Sequence, residues 1–394
     1  MAISAVCYAL SSFEDLVRMV CFTIPLLCGL PGTYIMPVAA ILLVVKGKIC
    51  GKQMAFAYVV VLLELLASFF YQTFSLARMV QYCSFAIVLM LLLHSSYVRA
   101  DDELKEKACI AYLYGSVLLC GTIIISTLKG APSDWLARFA KGWFRFGDIQ
   151  VDALDGMCLK LNANSLAYFA IIGATVAIVL AFHSEGMQKR VLCWACASLH
   201  LLTGVLTTSR SFFLVAALCA LIILFTVDKT PRMITLLLAI VIIMGALSVY
   251  IFQKYPDLLV GIVGRFEMSN LSTGGGRKEM LSTYSAAFSN NPRCWIMGTG
   301  VVGYKEITGV YGSIHNALQQ IIICLGFPGA TVFLFALTEP VCYSLRRNTK
   351  PGINVLPLVA VVLFSQTIQF LNPEQLMLPY AIGVYMLSTK TRVH

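Results

Sequence analysis

Apolar runs separated by short polar breaks fill most of the chain. They cover 16–30, 32–45, 54–71, 79–97, 108–127, 164–182, 191–207, 211–227, 233–253, 314–338, 354–370 and 376–389. A helix rises about 1.5 Å per residue, so roughly 20 apolar residues cross the hydrocarbon core of a bilayer. The pattern therefore predicts an all-α integral membrane protein with about 12 transmembrane helices. The first two runs are short and meet at Gly29, Pro31 and Gly32, which predicts a tight hairpin. Two connections are long: 128–163, and 254–313 between the ninth and tenth helices. Loops of that length in a membrane protein usually carry function. The expected organisation is one polytopic membrane domain over 1–394, with part of an active site in the large loop. No internal repeat is visible.

Composition agrees. Hydrophobic residues make up 59% and charged residues 12%, with a mean hydropathy of +0.83; soluble domains carry roughly 25% charge. A net charge of +10 raises nucleic acid as a partner, but the basic residues sit in small clusters between apolar runs. These are Lys46, Lys48 and Lys52; Arg99, Lys105 and Lys107; Lys189 and Arg190; Lys229 and Arg232; Arg346, Arg347 and Lys350; Lys390 and Arg392. Alternating helices put every cluster on one side, as the positive-inside rule requires of the cytoplasmic face. Both termini are then cytoplasmic, both long loops lie outside, and the partner is the lipid bilayer, with no nucleic acid. Glu14 and Asp15 precede the first apolar run, unlike the basic leader of a cleaved signal peptide. Most of the 14 cysteines lie within apolar runs and act as small hydrophobes. Cys193 and Cys196 form a CxxC without a second pair, so no metal is expected there. Cys158 and Cys294 fall in outer loops, and whether they pair stays open.

A few polar residues stand out against this background. Arg210, in Thr207-Thr208-Ser209-Arg210-Ser211, occupies a polar break at the outer face. It either snorkels to headgroups or binds an anion with its planar fork. In the large loop, Ser272-Thr273-Gly274-Gly275-Gly276 leads to Arg277-Lys278-Glu279-Met280, and helical periodicity from Arg277 to Phe288 puts Arg277 near a helix start. A cation there is unfavourable unless an anionic ligand joins it. Gly298-Thr299-Gly300-Val301-Val302-Gly303 is a literal GxGxxG, but no flanking strand supports a dinucleotide fold. Ile314-His315-Asn316 opens an apolar helix in which His315 and Gln319, and Asn316 and Gln320, would share faces at i, i+4. Histidine can take a proton from a hydroxyl near neutral pH. Glu64 and His200 lie within apolar runs, either for proton coupling or paired inside the bundle.

Taken together, these pieces resemble the O-antigen ligase and Wzy-type polysaccharide polymerase superfamily. The likeness runs from about Asn162 to Gly329. It rests on Asn162-Ala163-Asn164-Ser165-Leu166-Ala167, Ser209-Arg210-Ser211, Gly276-Arg277-Lys278-Glu279-Met280, Met297-Gly298-Thr299-Gly300, His315-Asn316 and Gly326-Phe327-Pro328-Gly329. The resemblance implies a bacterial inner-membrane enzyme that moves a glycan from a polyprenyl-diphosphate-linked oligosaccharide donor to a glycan or lipid-linked acceptor. It implies His315 as general base and Arg210 and Arg277 as stabilisers of the diphosphate. Asn164, Asn316, Gln319 and Lys278 would bind substrate. Direct displacement would invert the anomeric centre, with no cofactor and no metal. Trp135, Trp143, Phe144 and Trp295 would position lipid or sugar, or anchor at the interface. The cations of 128–163, among them Lys129, Arg138, Lys141, Arg145 and Lys160, read first as a solvated segment on the membrane surface. A secondary transporter or lipid-linked oligosaccharide flippase working through Glu64 and His200 is the alternative. A sensor or scaffold would tolerate loss of Arg210 and His315.

Overall fold

The computed structural model describes residues 2–28, 35–47, 51–98, 102–140, 144–147, 151–153, 157–159, 161–226, 253, 277–309, 314–348, 351–371 and 376–389. The hairpin residues Gly29, Pro31 and Gly32, the run 233–253 save its last residue, the loop from 254 to 276 and Trp143 lie outside them. Every other apolar run coincides with helix: Phe13–Thr23, Ile35–Gly47, Gly51–Phe70, Leu76–Val98, Asp102–Lys129, Ala163–His183, Met187–Leu206, Arg210–Thr226, Ala317–Arg347, Leu356–Ser365 and Pro379–Ser388. Among the described residues the only strands are a short antiparallel ribbon, Val151–Ala153 against Met157–Leu159, with Asp152 opposite Cys158.

Among the described residues, five helices are long and apolar enough to cross a membrane: Leu76–His94, Asp102–Lys129, Ala163–His183, Met187–Leu206 and Ala317–Arg347. Apart from the ribbon, the regular structure among the described residues is all helical, as in a polytopic membrane protein. The last two helices fall short of what the apolar runs 354–370 and 376–389 predict. Each has 10 residues, about 15 Å of rise against a hydrocarbon core of roughly 30 Å. Pro357 and Pro379, each at the first turn of its helix, set their starts.

Ala163–His183 is the central element. It is hydrophobic on all sides, and nearly every side chain along it is buried, as expected of a helix surrounded by others. It packs against Met187–Leu206, Leu356–Ser365, Asp102–Lys129 and Arg210–Thr226. A Cβ on Gly173 would lie 2.3 Å from His200 Nε2 and 2.9 Å from Ser116 Oγ. The missing side chain makes room for a buried polar pair: Ser116 Oγ to His200 Nε2 at 2.8 Å, with His200 Nδ1 on the Cys196 carbonyl at 2.7 Å.

Helix ends sort into two groups. At one end the Lys105 side chain is fully buried and pairs with Asp102 at 2.9 Å, and Arg347 reaches the same carboxylate at 3.6 Å. Two of the basic clusters therefore meet, with Lys105 buried in an ion-pair network. Asn348 Nδ2 donates to the Leu387 and Thr389 carbonyls, and Asn354 Nδ2 to Thr389, at this same end. The opposite end carries the loops and the cleft described next.

The helix Ala317–Arg347 breaks near that opposite end. Gly326 has φ 67°, and Pro328 two residues on has no amide to donate. The break frees the carbonyls of Ile323 and Cys324, and Thr299 N and Gly300 N take them at 3.0 and 2.9 Å. The glycines of the GxGxxG stretch serve this docking: a Cβ on Gly298 would stand 2.2 Å from the Cys324 oxygen. Their spacing reflects backbone meeting backbone.

Candidate active site

A cleft of about 570 Å³ opens at the loop-bearing end. One wall is the first turn of the central helix, whose Asn162 N-cap accepts from Asn164 N at 2.8 Å. Asn164 is thereby fixed with its side chain at the cleft. The Leu76–Val98 helix contributes Arg78, Gln81 and Tyr82, and the segment after Gly300 contributes Val301, Val302, Tyr304, Lys305 and Glu306. His315 lines it from the residues ahead of Ala317–Arg347, and Gln369 from the stretch between the last two helices.

His315 and Asn164, remote in sequence, thus face the same cavity. Arg210 is not among the residues lining it but adjoins it. Ser209 Oγ donates to Asn164 Oδ1 at 3.0 Å, and Arg210 follows as the first residue of its helix, half-buried. Arg277 is likewise the first residue of the helix Arg277–Asn290. Two arginines at helix starts are unfavourable by themselves, because the macrodipole there attracts anions. Lys278 follows Arg277, and the side chains of both lie outside the described residues. Tyr284 and Phe288 on the same helix are buried, as the periodicity predicted.

The expected pairing of His315 with Gln319 across a helix face is corrected. Asn316 is the N-cap: its side chain accepts from Gln319 N at 2.9 Å, and the helix begins at Ala317. His315 therefore stands outside the helix and points into the cleft. Gln319 and Asn316 line a second, mostly apolar groove of about 350 Å³ with Tyr284, Phe288, Trp295 and Phe327. Trp295 stacks on Phe327 at 5.2 Å and meets Phe288 edge-on at 4.8 Å. Phe144 is buried against Trp135 and Phe146, so it is core rather than a sugar platform. Cys294 is a free, buried thiol beside the Tyr71 hydroxyl at 3.3 Å, so it is not disulfide-bonded.

Arg145, read from the sequence as part of a solvated surface segment, is instead half-buried at the site. Nε donates to the Thr207 carbonyl at 3.0 Å and to Thr208 Oγ1 at 3.2 Å, and a terminal nitrogen reaches Asn164 Oδ1 at 3.4 Å. Thr208 has φ 50°, costly for a β-branched residue. Arg145 clamps this strained turn directly ahead of Arg210. Its flanking residues, Phe144 and Phe146, were the available sign, since both are buried. Arg145→Ala is expected to lower kcat about 10-fold through misplacement of Arg210 and Asn164, with a smaller change in KM. Unchanged kcat would mean the clamp does not set the site.

Glu64 and His200 both have fixed partners. The buried Glu64 accepts from Val301 N at 2.6 Å through one carboxylate oxygen and from Val302 N at 3.0 Å through the other. Its helix thus holds the cleft wall in place. Glu64→Ala should destabilise the protein by about 1–3 kcal/mol for each amide left bare, seen as a lower unfolding temperature. An unaltered unfolding temperature would remove this role. Burial also pushes the Tyr304 phenol above its ordinary range, so it stays a protonated donor at the cleft.

No curated protein and no solved structure matches the chain. The family model described as O-antigen ligase matches residues 195–334, a stretch that includes Arg210, Arg277 and His315. That family consists of membrane-embedded ligases and polymerases of polysaccharide biosynthesis acting on lipid-linked glycans. Over residues 195–334 this integral membrane protein is thus similar to the O-antigen ligase family.

Proposed function

We propose that the protein transfers a glycan from a polyprenyl diphosphate to an acceptor hydroxyl at the outer face of the bacterial inner membrane. The observation that carries this reading is the meeting of His315 and Asn164 at one cleft, with Arg210 beside it. The acceptor hydroxyl gives its proton to the His315 imidazole as its oxygen attacks the anomeric carbon. The bond from that carbon to the diphosphate breaks with its electron pair, and the anomeric centre inverts. Charge grows on the leaving diphosphate, where Arg210, Arg277 and Lys278 stabilise it. Anion binding at two helix starts relieves the unfavourable placement of both arginines. Asn164 orients the sugar. Asn316 acts through its cap and so shapes the approach to His315, while the groove edged by Gln319 takes the isoprenoid chain.

The same reading has twelve transmembrane helices, both termini in the cytoplasm, and 128–163 and 254–313 outside. Its support is the separation between the end carrying Lys105 and Arg347 and the end carrying the cleft. A transporter driven by Glu64 and His200 fits less well, because both groups are bonded within the bundle. Incubating purified protein with a lipid-diphosphate-linked oligosaccharide and no other acceptor tests the proposal. A ladder of longer chains identifies a polymerase, and transfer only when a different acceptor is added identifies a ligase. No transfer to any acceptor would refute the proposal.

A further inference from the structure

Gln369 lies in a short stretch that is tied down on both sides. Asn316 Nδ2 donates to the Gln366 carbonyl at 3.5 Å, and Leu371 N donates to Gln320 Oε1 at 2.8 Å. Both ties come from the first turn of the helix that His315 precedes. They explain the polar face formed by Asn316 and Gln320: it fixes the 366–371 stretch relative to His315.

Held in this way, the Gln369 side chain lines the cleft yet is only 8% exposed. Its Nε2 is buried without a partner at hydrogen-bond geometry. The Tyr304 hydroxyl is close enough to interact with the amide, but a side-chain amide carries two N–H donors and one phenol oxygen does not satisfy both. A buried bare donor is costly, and native structures seldom keep one without a use. The arrangement is what a pre-formed ligand contact looks like before the ligand arrives.

We infer that Gln369 is a glycan-contacting specificity residue, donating an Nε2 hydrogen bond to a sugar hydroxyl or ring oxygen held in the cleft beside His315. The inference rests on the glycan-transfer reading and deepens it. Gln369 lies beyond the matched stretch 195–334. A neutral amide that both donates and accepts suits hydroxyl groups, whereas a diphosphate is better met by the arginines.

The test compares two lipids on the purified full chain: the lipid-linked oligosaccharide extracted from the source cells, and sugar-free polyprenyl diphosphate. Gln369→Met keeps length and volume and removes both donors. It is expected to weaken binding of the glycan-bearing lipid about 10-fold and to leave the bare carrier unchanged. It should also raise the unfolding temperature of the ligand-free protein, because the bare buried donor is gone, whereas a purely structural glutamine would lower it. Gln369→Glu, which keeps the shape but removes the donors, should show the same selective loss. Unchanged glycan affinity in both variants, or equal losses for the two lipids, would overturn the inference and leave the transfer reading standing. If the wild-type protein transfers glycan to no acceptor, the transfer reading falls, and this inference falls with it.

Discussion

His315→Ala is expected to lower glycan transfer by about 10²–10⁴-fold while the protein stays folded and inserted. An acceptor hydroxyl is a poor nucleophile until its proton leaves, and His315 is the histidine that lines the cleft. His200, the rival, is enclosed between Ser116 and the Cys196 carbonyl and cannot reach a substrate. The side chain of His315 is not part of the helix that follows, because Asn316 provides the cap. Removing the imidazole should therefore spare both the helix and the cleft wall. Donor affinity is expected to change little, because the proposal places the diphosphate on the arginines. Near-normal transfer with retained fold would remove His315 as the base.

Arg210→Lys is expected to lose nearly as much activity as Arg210→Ala, about 10²–10³-fold. Lysine keeps the charge but offers a point cation in place of a planar fork matched to two phosphate oxygens. The position also limits it. Arg210 starts its helix beside the strained Thr208 turn that Arg145 clamps, so the guanidinium departs from a fixed backbone and a differently shaped head cannot shift to compensate. An arginine that only snorkelled to headgroups would be replaced by lysine without loss, and a fully active lysine variant would establish that simpler role.

Much of the helical fold was legible because apolar runs of near-membrane length admit few other structures. Asn164, Arg210, Arg277 and His315 stood out in the sequence as candidates, but the meeting of Asn164 and His315 at one cleft did not. What escaped depends on contacts between distant segments. Nothing around Glu64 announces that its carboxylate will bind the amides of Val301 and Val302. The docking of the GxGxxG stretch appears only once Gly326 and Pro328 have exposed the carbonyls it meets. The start of the Ala317 helix was misread although Asn316 before an apolar run is an N-cap signature. Reading that cap would have freed His315 from the helix face. Arg145 was assigned to the membrane surface by charge counting, which cannot register a guanidinium turned inward onto Thr207, Thr208 and Asn164. Gln369 falls at the end of the apolar run 354–370 with nothing in the sequence to single it out; its burial at the cleft does so.

The most direct measurement is the release of free polyprenyl diphosphate, matched against transferred glycan, from purified wild-type protein and the His315→Ala variant supplied with lipid-linked oligosaccharide and acceptor. The account predicts one diphosphate freed per glycan transferred by the wild type, an inverted anomeric linkage in the product, and about 10²–10⁴-fold less of both products from the variant. Equal release from both proteins, or glycan movement with the diphosphate bond intact, would contradict transfer chemistry at this cleft.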